Sequence, residues 1–341
     1  MRLKNPDTCR NACATCLLGA LALSPLVNAQ RGVFPQPQTA REVTIQGIPG
    51  VVAAGAQWTV AWQGADNADG IIGTTDGGPL FAQEQPSQIS KLDQHDKVSV
   101  YLEDTHGAGA VAIDSRGRIL VVERTCTDPG RRPAQCKEPT AVAVLAPERK
   151  ILADNIAGKG LGRLNDLIVD KKGGVYFNGA GTFYLNPGGQ VSSIGENIRT
   201  NGIMLSRDEK TLYVTNGMVI VAFDVQLDGT VKNQREFGKL EAGGAGDGMA
   251  IDAEGRLYVS TDPGVQVLSP DGKWLGVIAT PRGAISVAFA GPDKKTLYVV
   301  GSGALGPDGN ELRPPRESGT TLRRFIRSRC WPGVSADERS N

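Results

Sequence analysis

One phrase recurs six times along this chain, and it limits the fold more than any other feature. Each copy is an apolar run, then a turn holding Asp with Gly or Lys, then a second run rich in β-branched and aromatic residues. The copies span residues 71–81, 111–121, 167–177, 203–214, 249–259 and 287–299. Their turn aspartates are Asp76, Asp114, Asp170, Asp208, Asp252 and Asp293, at steps of 38, 56, 38, 44 and 41 residues. Only the long step contains a cysteine-bracketed insertion, so an insertion accounts for it. Each phrase reads as a β-hairpin with an Asp/Gly turn. A weaker strand pair follows, as in 88–92 with 98–102 and 265–268 with 275–278. Four strands per ~40-residue unit, six times over, predict an all-β fold, a six-bladed β-propeller with four antiparallel strands per blade. A β-solenoid has shorter repeats, and paired β-sandwiches do not repeat a phrase.

Composition agrees with this reading and removes several functions. The 44 glycines beside only 5% aromatics suit many tight turns between short strands. Basic and acidic residues nearly balance, 37 against 36, which leaves no electrostatic footprint for nucleic acid or an anionic membrane. Two histidines rule out a His-rich metal centre, so a metal here needs mainly oxygen ligands.

The first 29 residues read as a secretory signal peptide. Arg2, Lys4 and Arg10 precede a short apolar run from Cys13 to Val27, and Val27-Asn28-Ala29 offers small residues for cleavage before Gln30. An uncleaved anchor helix is the competing reading. Cleavage removes three basic residues and Asp7, so 37 − 3 = 34 basic and 36 − 1 = 35 acidic residues remain. No later stretch is apolar enough to span a membrane. The expectation is a secreted or periplasmic protein with a lead-in over 30–45, a propeller over 46–326 and a frayed tail over 327–341. Residues 46–66 are expected to supply a strand that closes the ring. In an oxidising compartment Cys126 and Cys136, flanking a short turn-rich loop, predict a disulfide, with a zinc site as the alternative. Cys330 is left over.

In a propeller the inner strand of each blade starts near the central channel. The residues just before the phrases therefore converge on one face. Asp69, Asn165, Asn201 and Asp247 occupy matching positions before four phrases. Two carboxylates and two carboxamides suit one hard divalent cation, above all Ca²⁺, with Zn²⁺, Mg²⁺ or Mn²⁺ as alternatives. The competing reading is that Asp-Gly and Asn-Gly are only turns. His106, just before phrase two, is the one imidazole placed to reach the channel, where it would bind substrate or act as an acid/base; the competing reading is a loop histidine with no role.

The phrases Arg163-Leu-Asn165-Asp166-Leu, Asn201-Gly202-Ile203 and Gly246-Asp247-Gly248-Met249-Ala-Ile-Asp resemble the regucalcin (senescence marker protein)/gluconolactonase family, over roughly residues 66–300. The resemblance implies a six-bladed propeller with one divalent metal, usually calcium, in its channel, acting on lactones or related esters. It assigns Asn165, Asn201 and Asp247 as metal ligands, with Asp247 also activating the attacking water. The family's blade-one Glu is matched by Asp69, one methylene shorter. The usual Asn-Gly before phrase two is replaced by Gly109-Ala110.

From this ligand set follows a chemistry. A metal with open positions would polarise a lactone carbonyl and lower the pKa of bound water, and Asp247 would orient or deprotonate that water. Arg163 would hold a substrate oxygen or carboxylate. No Gly-x-Ser-x-Gly elbow or dinucleotide Gly motif is present. Two readings follow, an exported metal-dependent lactonase or esterase and a non-catalytic propeller that binds a small molecule, sugar or protein over the same channel.

Overall fold

The structure is a computed structural model. It describes residues 40–64, 67–74, 76–124, 138–303 and 323–329, all within the unit Pro37–Asn341. The expected signal peptide, the Cys126–Cys136 pairing and Cys330 lie outside the described residues.

Among the described residues there are 26 β-strands and no α-helix. β1 (Thr59–Gly64) stands before the repeats. Sheet I follows as β2 (Ile71–Ile72), β3 (Leu80–Gln83), β4 (Gln88–Leu92) and β5 (Val98–Leu102). Sheet II is β6 (Ala108–Ile113), β7 (Ile119–Glu123), β8 (Ala141–Ala146) and β9 (Lys150–Ala153). A two-stranded ribbon, β10 (Asn155–Ile156) and β11 (Lys159–Gly160), leads to sheet III: β12 (Leu167–Val169), β13 (Val175–Asn178), β14 (Thr182–Leu185) and β15 (Val191–Ile194). Sheet IV is β16 (Ile203–Leu205), β17 (Thr211–Asn216), β18 (Val219–Val225) and β19 (Val231–Lys239). Sheet V is β20 (Met249–Ile251), β21 (Leu257–Thr261), β22 (Gly264–Leu268) and β23 (Trp274–Ala279). Finally β24 (Ala284–Ala290), β25 (Thr296–Ser302) and β26 (Arg323–Arg329) join β1 in a sheet of order β1-β26-β25-β24.

The fold is an all-β propeller. Every recurring phrase is the inner hairpin of a sheet, with Ile71 opposite Phe81, Leu167 opposite Phe177 and Met249 opposite Val259. The repeat predicted six four-stranded blades, but the structure shows five, each made of four consecutive strands; the sixth phrase builds a composite sheet instead. Its outer strand comes from the N-terminal side, and the tail expected to fray supplies β26, paired with both neighbours (Trp62↔Phe325, Val299↔Ile326). This strand runs across the expected boundary at 326/327. A ring of sheets leaves two unpaired edges unless its ends meet, and here one sheet draws on both ends of the chain.

Burial follows the strand position. Middle strands such as β7 and β21 are buried along their whole length, whereas the outer strand β19 is largely exposed. The apolar clusters sit between neighbouring sheets. Val122 and Val142 of sheet II meet Leu167 and Phe177 of sheet III, and Ile71 and Phe81 of sheet I meet Tyr298 and Val300 of the composite sheet. The segment before β1 contributes too, since Ile45, Ile48, Val51 and Val52 are buried against Tyr258, Val265 and Phe289.

The turn aspartates explain why the phrase repeats. Asp114 accepts N–H bonds from Arg116 and Arg118, Asp170 from Lys172 and Gly174, and Asp252 from Glu254 and Arg256, always at two and four residues on. Each carboxylate thus closes its own turn. Asp252 is fully buried and also takes the Arg256 Nε–H at 2.6 Å and the Tyr258 hydroxyl at 3.0 Å. Asp293 accepts the Lys295 N–H, at 3.2 Å, and no second such bond among the described residues.

Asp252→Ala is therefore expected to cost about 2–3 kcal/mol, because it removes the buried acceptor of four hydrogen bonds, while Asp293→Ala costs about 1 kcal/mol or less. Thermal unfolding of the two variants side by side checks this, and equal shifts would contradict it. Burial pushes the Asp114 carboxyl up, but the Arg118 N–H and guanidinium outweigh it and hold the group below its usual value. The stability it contributes is then full above about pH 4 and lost as the pH falls through the folded value. Acid unfolding of Asp114→Asn should show a shallower dependence below about pH 4 than the parent.

Candidate active site

The residues before the phrases keep a common phase in three dimensions. The backbone N–H of Asp69 donates to Ala82, that of Asn165 to Asn178 and that of Asp247 to Ser260, each at the equivalent place on the next strand. Asn201 makes the equivalent bond to the Thr215 hydroxyl at 3.0 Å. All four are half-buried. Neighbouring sheets touch at these starts. The Gly70 N–H reaches the Gly109 carbonyl, and the Gly248 N–H reaches that of Ile285. Gly202 backs onto Asp247 so closely that a Cβ would lie 2.0 Å from its carbonyl oxygen. Beneath them the axis is narrow. A cavity of about 40 Å³ is walled by Ile72, Val111, Leu167, Met204, Met249 and Val287, one from each sheet.

Asp69, Asn165 and Asn201 are linked by hydrogen bonds. The Asn165 carboxamide donates from Nδ2 to the Asn201 carbonyl at 3.0 Å and to its Oδ1. Asp69 is joined to Asn165 by a residue that the sequence reading missed. Arg124, 1% exposed, follows β7. Its Nη1 donates to Asp69 Oδ2 at 2.6 Å and to Glu84 Oε2 at 3.0 Å. Its Nη2 donates to the Asn165 carbonyl at 2.7 Å and to Asn165 Oδ1 at 3.0 Å, and its Nε to the Leu164 carbonyl at 2.8 Å. Burial opposes the charge of this guanidinium, but Asp69 and Glu84 outweigh that and raise its pKa.

Glu84, 2% exposed, passes the link on to Arg163 through bonds of 2.9 and 3.1 Å. Arg163 keeps 38% of its side chain exposed. Asp166 was quoted there without a role. It accepts the Leu167 and Ile203 N–H groups, one from each of two sheets. Burial pushes its carboxyl up to about 7, against the pull of those two bonds.

Expected at the channel, His106 instead has its Nδ1 2.9 Å from Glu138. With Glu123 they form the one His/carboxylate cluster found among the described residues whose ligand atoms lie within 4.8 Å of one another. Arg149 already grips Glu123 at 2.9 and 2.8 Å and Glu138 at 3.0 Å.

The channel set does not fit a divalent cation as arranged. Calcium at about 2.3–2.6 Å would have to share Asp69 Oδ2 and Asn165 Oδ1 with the Arg124 guanidinium, and Asn201 Oδ1 faces the Asn165 amide N–H rather than an open space.

The sequence profile of the SMP-30/Gluconolactonase/LRE-like region matches residues 85–303. A gluconolactonase of Zymomonas mobilis is 27% identical over 297 residues, covering 74% of this chain and 78% of that protein. Regucalcin of Danio rerio is 34% identical over 132 residues, covering 36% and 44%. Among solved structures, a gluconolactonase from Xanthomonas campestris superposes with a TM-score of 0.65 at 21% identity, covering 86% of this chain and 99% of that one. A regucalcin from Agrobacterium tumefaciens, described as calcium-binding, gives a TM-score of 0.57 at 17% identity, covering 79% and 95%. With its profile match, its repeat and its site residues at one phase, the chain belongs to the SMP-30/gluconolactonase/LRE-like family.

Proposed function

We propose that the protein is an exported hydrolase that opens a lactone or related ester at the channel mouth. The composite sheet counts as the sixth blade in this reading. The observation that carries it is the convergence of Asn165, Asn201 and the exposed guanidinium of Arg163 at one phase of the ring, in a chain of a lactonase family. A Haloferax volcanii relative is a pentonolactonase, 30% identical over 42% of this chain and 55% of that protein.

Water adds to the lactone carbonyl carbon, the acyl–oxygen bond breaks, and the ring oxygen leaves as an alkoxide that takes up a proton. The product is a hydroxy acid. In this scheme Asp247 receives the proton of the attacking water. Arg163 holds the oxyanion and then the carboxylate, as a planar cation suits both. A cleft of about 570 Å³ adjoins the site, lined by Gly179–Thr182 and by residues 194–195 and 197–200. The hydroxyls of Thr182 and Thr200 border it, both turned from solvent and unpaired among the described residues. They suit a substrate that carries hydroxyl groups. A metal at the Asp69, Asn165, Asn201 and Asp247 set would add Lewis-acid chemistry, but the fit found above gives no step through it.

The binding-only reading draws on one observation: Arg124 has no donor left for a substrate oxygen. Hydrolysis separates the two readings. A pH-stat assay on aldonolactones is expected to show turnover above the spontaneous rate. Asp247→Asn should lower kcat by about 10²–10⁴-fold, and Arg163→Ala, which removes the oxyanion's partner, should lower kcat and kcat/KM together by about 10²-fold or more. A parent protein no faster than buffer would end the enzymatic reading. Export is tested separately. Amino-terminal sequencing of the mature protein is expected to begin at Gln30, and an intact Met1 would contradict the signal-peptide assignment.

A further inference from the structure

We propose that Arg124 is the resident cation of the channel site, and that its guanidinium takes the place between Asp69 and Asn165 that the sequence pattern assigns to a divalent ion. The first support is donor saturation. A guanidinium has five N–H donors, and all five are used: one on Leu164, two on Asn165, one on Asp69 and one on Glu84. The oxygens around it come from sheet I (Asp69, and Glu84 just after β3) and from the start of sheet III. A ligand-bridging ion would collect its oxygens in the same way.

The second support is steric. A Cβ added at Gly109 would lie 1.9 Å from Arg124 Nε and 2.1 Å from its Cζ. No side chain at 109 is compatible with this guanidinium. Position 109 is also where the family resemblance leads one to expect Asn. The missing side chain at 109 and the arginine at 124 are two halves of one arrangement.

The third support is charge. Asp69 and Glu84 bring two negative charges, and the guanidinium groups of Arg124 and Arg163 pair directly with both of them. A divalent ion at Asp69 would face Arg124 at close range in a poorly solvated site, where like charges repel strongly.

The consequence is a different division of labour. A metal keeps exchangeable positions for substrate, whereas Arg124 has none. It acts as a positioning residue: it fixes Asn165, and thereby Asn201, and through Glu84 it aims Arg163 at the rim. This consequence rests on the lactone-hydrolase reading, but the cation assignment itself does not need turnover.

The test is a calcium titration of the purified full-length chain after chelator treatment, by calorimetry and by thermal unfolding. The parent is expected to give no saturable binding heat and an unchanged Tm. Arg124→Ala exposes Asp69 and Glu84 to a vacant space and is expected to gain one calcium site per chain, with a Tm that rises by several degrees as calcium is added. A parent that binds one calcium with a matching rise in Tm overturns the proposal. So does a folded Arg124→Ala variant that gains no site. If that variant does not fold, the parent titration still decides. A purely structural arginine would give no gain of calcium binding on its removal. Failure to hydrolyse lactones would remove the enzymatic reading and leave the calcium result standing.

Discussion

A single buried guanidinium ties the working face of this propeller together. Arg124 leaves sheet II and is bonded to Asp69 and Glu84 on sheet I and to Leu164 and Asn165 at the start of sheet III. A cation this deep persists only where its donors and charge are met. Its partners are therefore held in place as firmly as it is. Removing one partner of such a buried pair typically costs about 3–5 kcal/mol, a large part of a domain's stability. The chain of contacts continues from Asn165 to Asn201 and, on the other side, from Glu84 to Arg163. The same interaction thus fixes the fold around the channel mouth and the direction of the Arg163 guanidinium there.

The rest of the ring serves this arrangement. Turn aspartates close the inner hairpins and keep each strand start at one phase. Close contacts such as Gly202 against Asp247 bring adjacent sheets near enough for side chains of successive blades to touch. The pairing of β1 with β26 joins the two ends of the chain in one sheet, so residues on sheets I and V belong to one closed surface rather than to the two ends of an open array.

Much of this was legible in the sequence, because a repeat encodes phase. The six hairpins lie where the phrase placed them, as do the second strand pairs of sheets I to V, and Asp69, Asn165, Asn201 and Asp247 share a position because each precedes a phrase. The strand Arg323–Arg329 was harder to read. Arg323-Arg324-Phe-Ile-Arg327-Ser-Arg329 lacks the apolar alternation of its neighbours, and its pairing comes from the two edges that flank it. Arg124 and Glu84 were missed for a different reason. They follow the second strands, where the phrase ends, and nothing in spacing shows that a side chain will reach across to another sheet. A signal existed: Glu123-Arg124 ends an otherwise apolar run directly opposite Gly107 and Ala108, where small residues leave room. His106 was assigned by its place before phrase two, yet Glu138 beyond the insertion claims it, and a long-range ion pair of that kind leaves no local mark.

The most direct test of an arginine-centred channel is a crystal structure of the full-length chain grown with calcium in excess. The account expects planar guanidinium density between Asp69 and Asn165, with nitrogen–oxygen distances near 2.6–3.0 Å and no ion among these residues. A spherical peak bonded to Asp69, Asn165, Asn201 and Asp247 at about 2.3–2.6 Å, with Arg124 turned away, would contradict it.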